Sequence, residues 1–495
     1  MKEPRLEWAF QWLKTHKNLY IGGRWTDGEG RMIETVNPAN GKVLGRFAGA
    51  SREDVDAAVR AARTAFESGE WKDMTRKERG RRLRRIAELI REHQDELATL
   101  ESLDNGKLYK EAYQDDVEES ADLFEYYAGW TDKYYGEMNP VEGSFTSWTT
   151  RDPVGVCGQI VPWNFPIDMA AWKLAPALAM GNTVVLKPSS VTSLSAIRLF
   201  EIIHEAEVLP AGVINLILGE GAVGSYITTH MDVDKISFTG STKVGKQLVR
   251  DSADSNLKTV TLELGGKSPN IIFADAPNLE GAIERSFYAL FTHKGEKCSA
   301  PTRLLVQRPV YDQVVEALAR YADGYKLGDP FDPSSDQGPQ VSQAHMESIL
   351  RYIEIGKQQG ARLAAGGRRD TEGANADGFF VRPTIFADVS NDMTIAQEEI
   401  FGPVLCVIPF DTEEEAVRIA NDTIYGLAAG LWTNDVARAH RVAKRLQAGQ
   451  VFVNRYGCYD FASPFGGFKQ SGWGKEYAIH SLASYTKMKA IWIAH

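Results

Sequence analysis

Apolar positions along the chain change their period several times, and each change marks an element. Residues Val55, Ala58, Val59, Ala62 and Phe66 recur at three- and four-residue intervals behind Ser51, with Asp54 three residues on. That is a helix opened by a capping box. A second helix is predicted from near Thr75 to around Gly106, with Leu83, Ile86, Ala87, Ile90 and Leu97 on its inner side. From Val154 the texture becomes apolar runs alternating with helical segments. Strands are expected over 154–161, 183–187, 213–218, 235–238 and 259–264, with helices beginning near Asp168, Thr192, Ala222 and Thr242. Such alternation predicts a parallel sheet with crossover helices. A similar alternation fills roughly 270–453, with strand candidates at 270–273, 303–306, 403–408 and 451–453. Two pieces fit neither sheet. Residues 133–150 read as a hairpin turning at Glu142-Gly143, and 490–493 (Ala-Ile-Trp-Ile) read as a short exposed apolar strand. An edge strand of that kind needs covering, so self-association is expected.

At 495 residues the chain calls for two or three domains. Its 43% hydrophobic and 25% charged content is that of a globular protein, and its net charge of −10 argues against nucleic acid as a partner. The one basic run (Arg76, Lys77, Arg79, Arg81, Arg82, Arg84, Arg85) is followed by Glu88, Glu92, Asp95 and Glu96, and reads as a solvated or interface face. No apolar run approaches the roughly 18–20 residues of a membrane helix, and the first residues do not read as a secretory leader. Four cysteines (Cys157, Cys298, Cys406, Cys458) form neither a disulfide framework nor a zinc spacing, so a reducing cytoplasm and no metal are expected.

Cys298 carries the candidate chemistry. It follows a helix-like run over 279–291 and a glycine, and precedes a strand-like run over 302–306. A thiol at such a junction can attack a carbonyl while neighbouring N–H groups face the developing oxyanion. Glu263, in Leu-Glu-Leu-Gly-Gly-Lys-Ser-Pro, and Asn164, in Pro-Trp-Asn-Phe-Pro, complete a set that reads as nucleophile, general base and oxyanion donor. Cys157 and Cys406 read as buried structural thiols. Gly219–Gly224 satisfies G-x-G-x-x-G after a strand, but no acid follows about twenty residues on, where Thr239 lies.

Over nearly its whole length the chain resembles the aldehyde dehydrogenase superfamily. The resemblance rests on ordered blocks: 162–166 (Pro-Trp-Asn-Phe-Pro), 187–189 (Lys-Pro-Ser), 238–242 (Phe-Thr-Gly-Ser-Thr), 263–267 (Glu-Leu-Gly-Gly-Lys), 295–298 ending in the cysteine, 398–403 (Glu-Glu-Ile-Phe-Gly-Pro) and 464–467 (Pro-Phe-Gly-Gly). It implies an α/β architecture with two Rossmann-like parallel-sheet domains and a small β oligomerisation element. The cofactor domain would comprise 1–132 and 151–265, the catalytic domain 266–470, and the oligomerisation element 133–150 with 471–495. It implies oxidation of an aldehyde to the acid with NAD and/or NADP, through a Cys298 hemithioacetal and a thioester hydrolysed by water that Glu263 activates. Lys173 and Glu476 match a pair thought to relay protons.

The pyrophosphate would meet Gly240, Ser241 and the helix start at Val244, with Lys187, Ser189 and Ser190 at the adenosine ribose. Glu399 and Phe401 would hold the nicotinamide end, and Ile160, Pro162, Trp163, Gly221, Gly224, Phe238, Leu264 and Gly265 would frame the rest. The substrate pocket would draw on Phe165, Asp168, Met169, Trp172, Thr292, Arg455, Gly457, Tyr459 and Phe465, with Cys458 in the same loop. Its aromatic walls suit an apolar or aromatic aldehyde, and an acid beside Trp172 and Tyr459 could also favour a cationic aminoaldehyde. A dimer or tetramer of identical chains is implied.

Three departures stand out. Ser190 replaces an acid common in relatives, and Lys243 stands where they often have Glu; both changes favour dual NAD/NADP use. His293-Lys294 and Glu296-Lys297 replace an Asn-Gln-Gly-Gln pattern. The two lysines are placed to lower the thiol pKa if they face the sulfur, or to solvate if they do not. The alternatives are a CoA-acylating relative, which generally lacks the hydrolytic acid, and a silent family fold that has lost the catalytic set.

Overall fold

The computed structural model describes residues 1–15 and 18–495. Two parallel-rich sheets form its body. The first has eight strands. Its five central strands run parallel in the spatial order Ile214–Leu216, Thr183–Lys187, Val156–Ile160, Lys235–Thr239, Thr259–Glu263. The chain therefore leaves the middle strand toward one side and returns to fill the other. That reversal opens a crevice at the strands' carboxyl ends, beside Ile160 and Thr239, where ligands of doubly wound sheets bind. Leu19–Ile21, Arg24–Thr26 and Gly472–Trp473 extend the two edges antiparallel. Every residue of Val156–Ile160 and Thr183–Lys187 is buried, so both read as mostly apolar runs, with Gln159 and Lys187 as buried polar exceptions.

The second sheet has seven strands, six of them parallel, with Pro269–Ile272 between Arg303–Gln307 and Ala428–Trp432. Three of its strands escape the sequence pattern: Arg362–Ala365, Thr384–Ala387 and Ala428–Trp432. The first is a half-exposed antiparallel edge, and the last (Ala-Ala-Gly-Leu-Trp) has no β-branched residue although all of it is buried.

The helix beginning at Arg52 carries the predicted capping box, and Val55, Ala58, Val59 and Ala62 are all buried. Phe66 is only half-buried and Ala65 takes the inward position. The single helix expected over 75–106 is two, Arg76–Glu92 and Gln94–Asn105, interrupted at His93 (φ −107°, ψ 21°). The basic run is mostly exposed but not wholly so. Arg79 is buried, its Nε donating to the Ala179 carbonyl at 3.2 Å, and Arg82 reaches the Val208 carbonyl at 2.9 Å. Those two arginines tie the helix to the first sheet's layer.

The predicted hairpin pairs Met138–Asn139 with Phe145–Pro153. The terminal strand is longer than its apolar core suggested, covering Thr486–Ala494, and it pairs antiparallel with Phe145–Pro153 over nine residues of the same chain. Its other edge stays open, with Met488, Trp492 and Ile493 exposed.

Candidate active site

The helix Leu279–Phe291 is capped by Asn278, which accepts from the Gly281 N–H, and it delivers the chain to a 3₁₀ turn, Thr292–Gly295. Three successive residues there are left-handed: His293 (φ 51°), Lys294 (φ 65°) and Gly295 (φ 74°). For the two that carry a Cβ this costs on the order of 1–3 kcal/mol each, so the surroundings must impose it. The His293 N–H donates to Glu111 at 2.9 Å. The buried Lys294 ammonium donates to the Asn105 carbonyl (2.7 Å) and side chain (2.8 Å) and pairs with Glu296 at 2.9 Å. Lys294 therefore faces a buried ion pair and not the thiol. Lys297 donates to Thr292 Oγ1 at 2.8 Å and lines the cavity, its own pKa lowered to about 8 by burial.

Cys298 sits where this loop meets the first sheet. Burial, then the carboxylates of Glu263 and Glu399, push its thiol up to about 12, against the lowering the adjacent lysines suggested. At rest the group is a thiol. Its sulfur accepts from the N–H groups of Cys298 and Ser299, which oppose the rise.

Asn164 follows the strand Val156–Ile160 and precedes the helix Pro166–Ala179. It is buried, and its Nδ2 donates to the Glu296 carbonyl at 2.9 Å, while Asn105 Nδ2 donates to the Trp163 carbonyl at 2.7 Å. The Lys294–Asn105 and Glu296 contacts thus lock the amide-bearing turn to the cysteine loop. Glu263 ends its strand, buried, with Oε2 lacking any hydrogen-bond partner. Burial and the nearby Glu476 hold its carboxyl well above the usual range, opposed by Lys173 and Lys475. Lys173 and Glu476 form a buried pair at 3.0 Å, bridged by the Ser237 hydroxyl. The predicted relay pair therefore reaches the carboxylate electrostatically.

Glycines in this region are required by close approach. A Cβ on Gly265 would strike the Glu399 carboxylate, and one on Gly266 would strike the Cys298 carbonyl. Glu399 is held by the Gly266 N–H at 2.8 Å, and burial raises its pKa to about 7. Phe401, itself left-handed (φ 59°), packs edge-on to Trp163 at 5.2 Å.

One cavity of about 530 Å³ joins these groups. Of the expected cofactor residues, Pro162, Trp163, Gly240, Ser241, Leu264, Gly265, Glu399 and Phe401 line it. The others follow the crevice outward. Ile160 and Lys187 pack against the Gly224 face, and Phe238 lies beneath Gly240. Ser189 and Ser190 are half-buried, Gly221 has open space before it, and Val244 is exposed in the first turn of Thr242–Ala253.

A nicotinamide dinucleotide fits what is there. Lys187 is buried with only the Pro188 carbonyl (3.3 Å) as partner and a pKa lowered to about 8, an ammonium short of partners. The Ser241-capped helix start offers free N–H groups. Of the expected substrate residues, Phe165, Asp168, Met169, Trp172, Thr292, Gly457, Tyr459 and Phe465 line the cavity. Arg455 does not. The left-handed Asn454 turns the chain so that Tyr456 is buried and Arg455 is exposed. Cys157 and Cys406 are buried, Cys458 is exposed, and all four cysteines are free.

Several lining residues were not anticipated (Asp115, Asp116, Glu119, His345 and Tyr477), and His293 and Lys297, named above only as neighbours of the thiol in sequence, line the cavity as well. The acids come from a π-helical turn, Ala112–Val117, running into the helix Glu118–Ala128. A π segment often marks a functional site, but its sequence carries no distinctive signal.

A nucleotide-type crevice opening onto a thiol, an amide and a carboxylate defines a cofactor-dependent enzyme acting on carbonyl compounds. Comparison with known proteins makes the class specific. The family model described as the aldehyde dehydrogenase family matches residues 25–491, and the chain belongs to that family. It is 47% identical to the mitochondrial aldehyde dehydrogenase of Homo sapiens, over 96% of this chain and 91% of that one. It is 45% identical to the betaine aldehyde dehydrogenase of Bacillus subtilis strain 168, over 96% and 97%. The NAD+ complex structure of an aldehyde dehydrogenase from Bacillus cereus superposes with a TM-score of 0.96 at 46% identity, covering 100% of this chain and 99% of that one. The chain is thus a nicotinamide-dependent aldehyde dehydrogenase by family. Among the described residues no helix is long and apolar enough to cross a membrane, and no group of His, Cys, Asp and Glu is arranged to hold a metal.

Proposed function

We propose that the chain converts an aldehyde to its carboxylic acid in two stages, with Cys298 as nucleophile and Glu263 as hydrolytic base. The observation that carries this reading is the convergence of Cys298, Asn164 and Glu263, from three chain segments, on one cavity. The Cys298 thiol gives up its proton to solvent, and Sγ adds to the carbonyl carbon as the C=O π pair moves onto oxygen. The Asn164 amide and the Cys298 N–H then receive the oxyanion; one such donor is worth about 3 kcal/mol. When bound, the nicotinamide supplies the hydride acceptor. The thioester left on Cys298 is attacked by water whose proton passes to Glu263, and Lys173 with Glu476 carry it outward. The unpartnered Glu263 oxygen supports hydrolysis over transfer to CoA. Gly240, Ser241 and the following helix start hold the pyrophosphate, Lys187 the adenosine ribose, and Glu399 with Phe401 the nicotinamide end.

The cofactor and catalytic layers divide near 265, and the open edge of Thr486–Ala494 with its exposed Trp492 supports a homo-oligomer, dimer or tetramer. Four free cysteines accord with a cytoplasmic setting.

The test is a panel of aldehydes assayed with NAD and with NADP in the absence of CoA. Acid formation with both cofactors is expected, their kcat/KM values lying within about tenfold, because neither Ser190 nor Lys243 repels a 2′-phosphate. Acid formed with NAD alone would sink the dual-cofactor assignment, and a strict need for CoA would sink the hydrolytic one. Gly265→Ala is expected to weaken NADH binding by roughly tenfold, read by fluorescence titration, because the new methyl displaces the Glu399 carboxylate. Unchanged affinity would detach Glu399 from the cofactor.

A further inference from the structure

The wall of the cavity away from the cofactor is crowded with carboxylates that the reaction does not use. Asp115, Asp116 and Glu119 reach it from the segment 112–119, and Asp168 reaches it from the facing helix Pro166–Ala179. Glu101, on the helix Gln94–Asn105, lies behind them, fully buried. One buried lysine serves the group. Lys107 pairs with Asp116, stands 4.0 Å from Glu101, and rests over the Phe165 ring at 4.3 Å. It is fully occupied there. His293 stands 3.6 Å from Asp115 and 3.9 Å from Glu111, and Lys297 is turned to Thr292. Glu119 has only a neutral donor, the Tyr477 hydroxyl.

Asp168 has less. It is 4% exposed, it lines the cavity, and its Oδ1 has no hydrogen-bond partner. A buried carboxylate without a partner is costly, and the usual remedies are a proton or a cation. Burial together with Glu119 and Asp116 holds its carboxyl well above the usual range. The rings around it suit a cation. Trp172 meets Tyr477 at 4.1 Å and Phe465 at 5.2 Å, and Tyr459 meets Phe465 at 5.8 Å. Acid at the base and aromatic faces at the sides are what an organic ammonium needs once it has left water.

We propose that the substrate is an aldehyde carrying a cationic nitrogen at its far end, and that Asp168 and Glu119 hold that cation while the carbonyl meets Cys298. The proposal rests on the aldehyde-oxidising reading above and names the substrate class for the same site. It also accounts for a lysine-poor acid wall that a neutral alkyl or aryl chain would leave unmatched.

The discriminating pair is 3-aminopropanal and butanal, which share a skeleton of five heavy atoms, the carbonyl oxygen included, and differ in charge. Wild type is expected to favour the amine by about tenfold or more in kcat/KM, the discrimination of one charged hydrogen bond. Asp168→Asn and Glu119→Gln should each lower that preference by about tenfold, whatever either does to the butanal rate. Propylammonium, which has no carbonyl, should inhibit butanal oxidation competitively in wild type and more weakly in both variants. Butanal oxidised with no preference for the amine would overturn the cation site and leave aldehyde oxidation standing. An amine preference that survives both substitutions would overturn the assignment to Asp168 and Glu119. Failure to oxidise either compound, or any aldehyde of the wider panel, with NAD or NADP would overturn the reading on which the proposal rests.

Discussion

Cys298→Ala is expected to lower steady-state aldehyde oxidation by at least about 10⁴-fold while NADH still binds. The physical reason is that Cys298 is the one thiol among the residues that line the cavity, and a thioester requires a thiol. Cys458 is exposed and does not line the cavity although Gly457 and Tyr459 on either side of it do, and Cys157 and Cys406 are buried in the two sheets. The resting state of the thiol gives this prediction a second measurable face. Burial and two carboxylates raise Cys298 to about 12, and Glu263 is itself raised by burial and by Glu476. Both groups must be deprotonated to act, and both shifts favour the protonated form. The wild-type kcat/KM, which reports the thiol's attack, should therefore climb with pH through the neutral range and up to about pH 9, with no plateau below pH 7, while Glu263 bears on kcat through hydrolysis. A flat profile from about pH 6 would mean that the attacking sulfur is already ionised, and that Lys297 governs it after all. Oxidation persisting in Cys298→Ala at more than about 1% of wild type would point to hydride loss from a non-covalent hydrate.

Legibility from sequence followed burial and locality. The strand Thr183–Lys187 was readable to the residue because every side chain in it is buried and most are β-branched or aliphatic. Ala428–Trp432 is just as buried and was missed, since alanines and a glycine give no strand signal until their neighbours are known. The break at His93 was invisible for a related reason: neither glycine nor proline marks it. The candidate nucleophile, base and amide could be named because each sits in a short local motif. Of the acid wall only Asp168 could be named; Asp115, Asp116 and Glu119 could not. Asp168 lies some fifty residues beyond Asp116 in sequence, and only the packing of two helices against one cavity joins them. The lysines beside Cys298 show the converse. Their proximity in sequence suggested an effect on the thiol, yet a left-handed turn sends Lys294 into Asn105 and Glu296.

Glu263→Gln should separate the two halves of the reaction. The amide keeps the size and much of the polarity of the carboxylate but cannot accept a proton from water at neutral pH. The first half, addition of Sγ and loss of hydride, should proceed to one equivalent of NADH per site, followed by turnover slowed by roughly 10²–10⁴-fold. The surroundings favour that outcome over unfolding. Among the described residues Glu263 makes no ion pair whose loss would strand a partner, its Oε2 is already unpartnered, and Lys173 remains satisfied by Glu476 at 3.0 Å. Gly466, whose Cβ would lie 2.6 Å from Glu263 Oε1, leaves room for the side chain to hold the same position as an amide. Rapid mixing with quenched-flow detection of the acyl-enzyme is the measurement. A burst of one equivalent with a trapped thioester on Cys298 supports the assignment. Loss of the burst itself would give Glu263 a role in forming the thiolate, and undiminished steady-state turnover would move the hydrolytic base elsewhere, with Glu476 the next carboxylate on the same buried path.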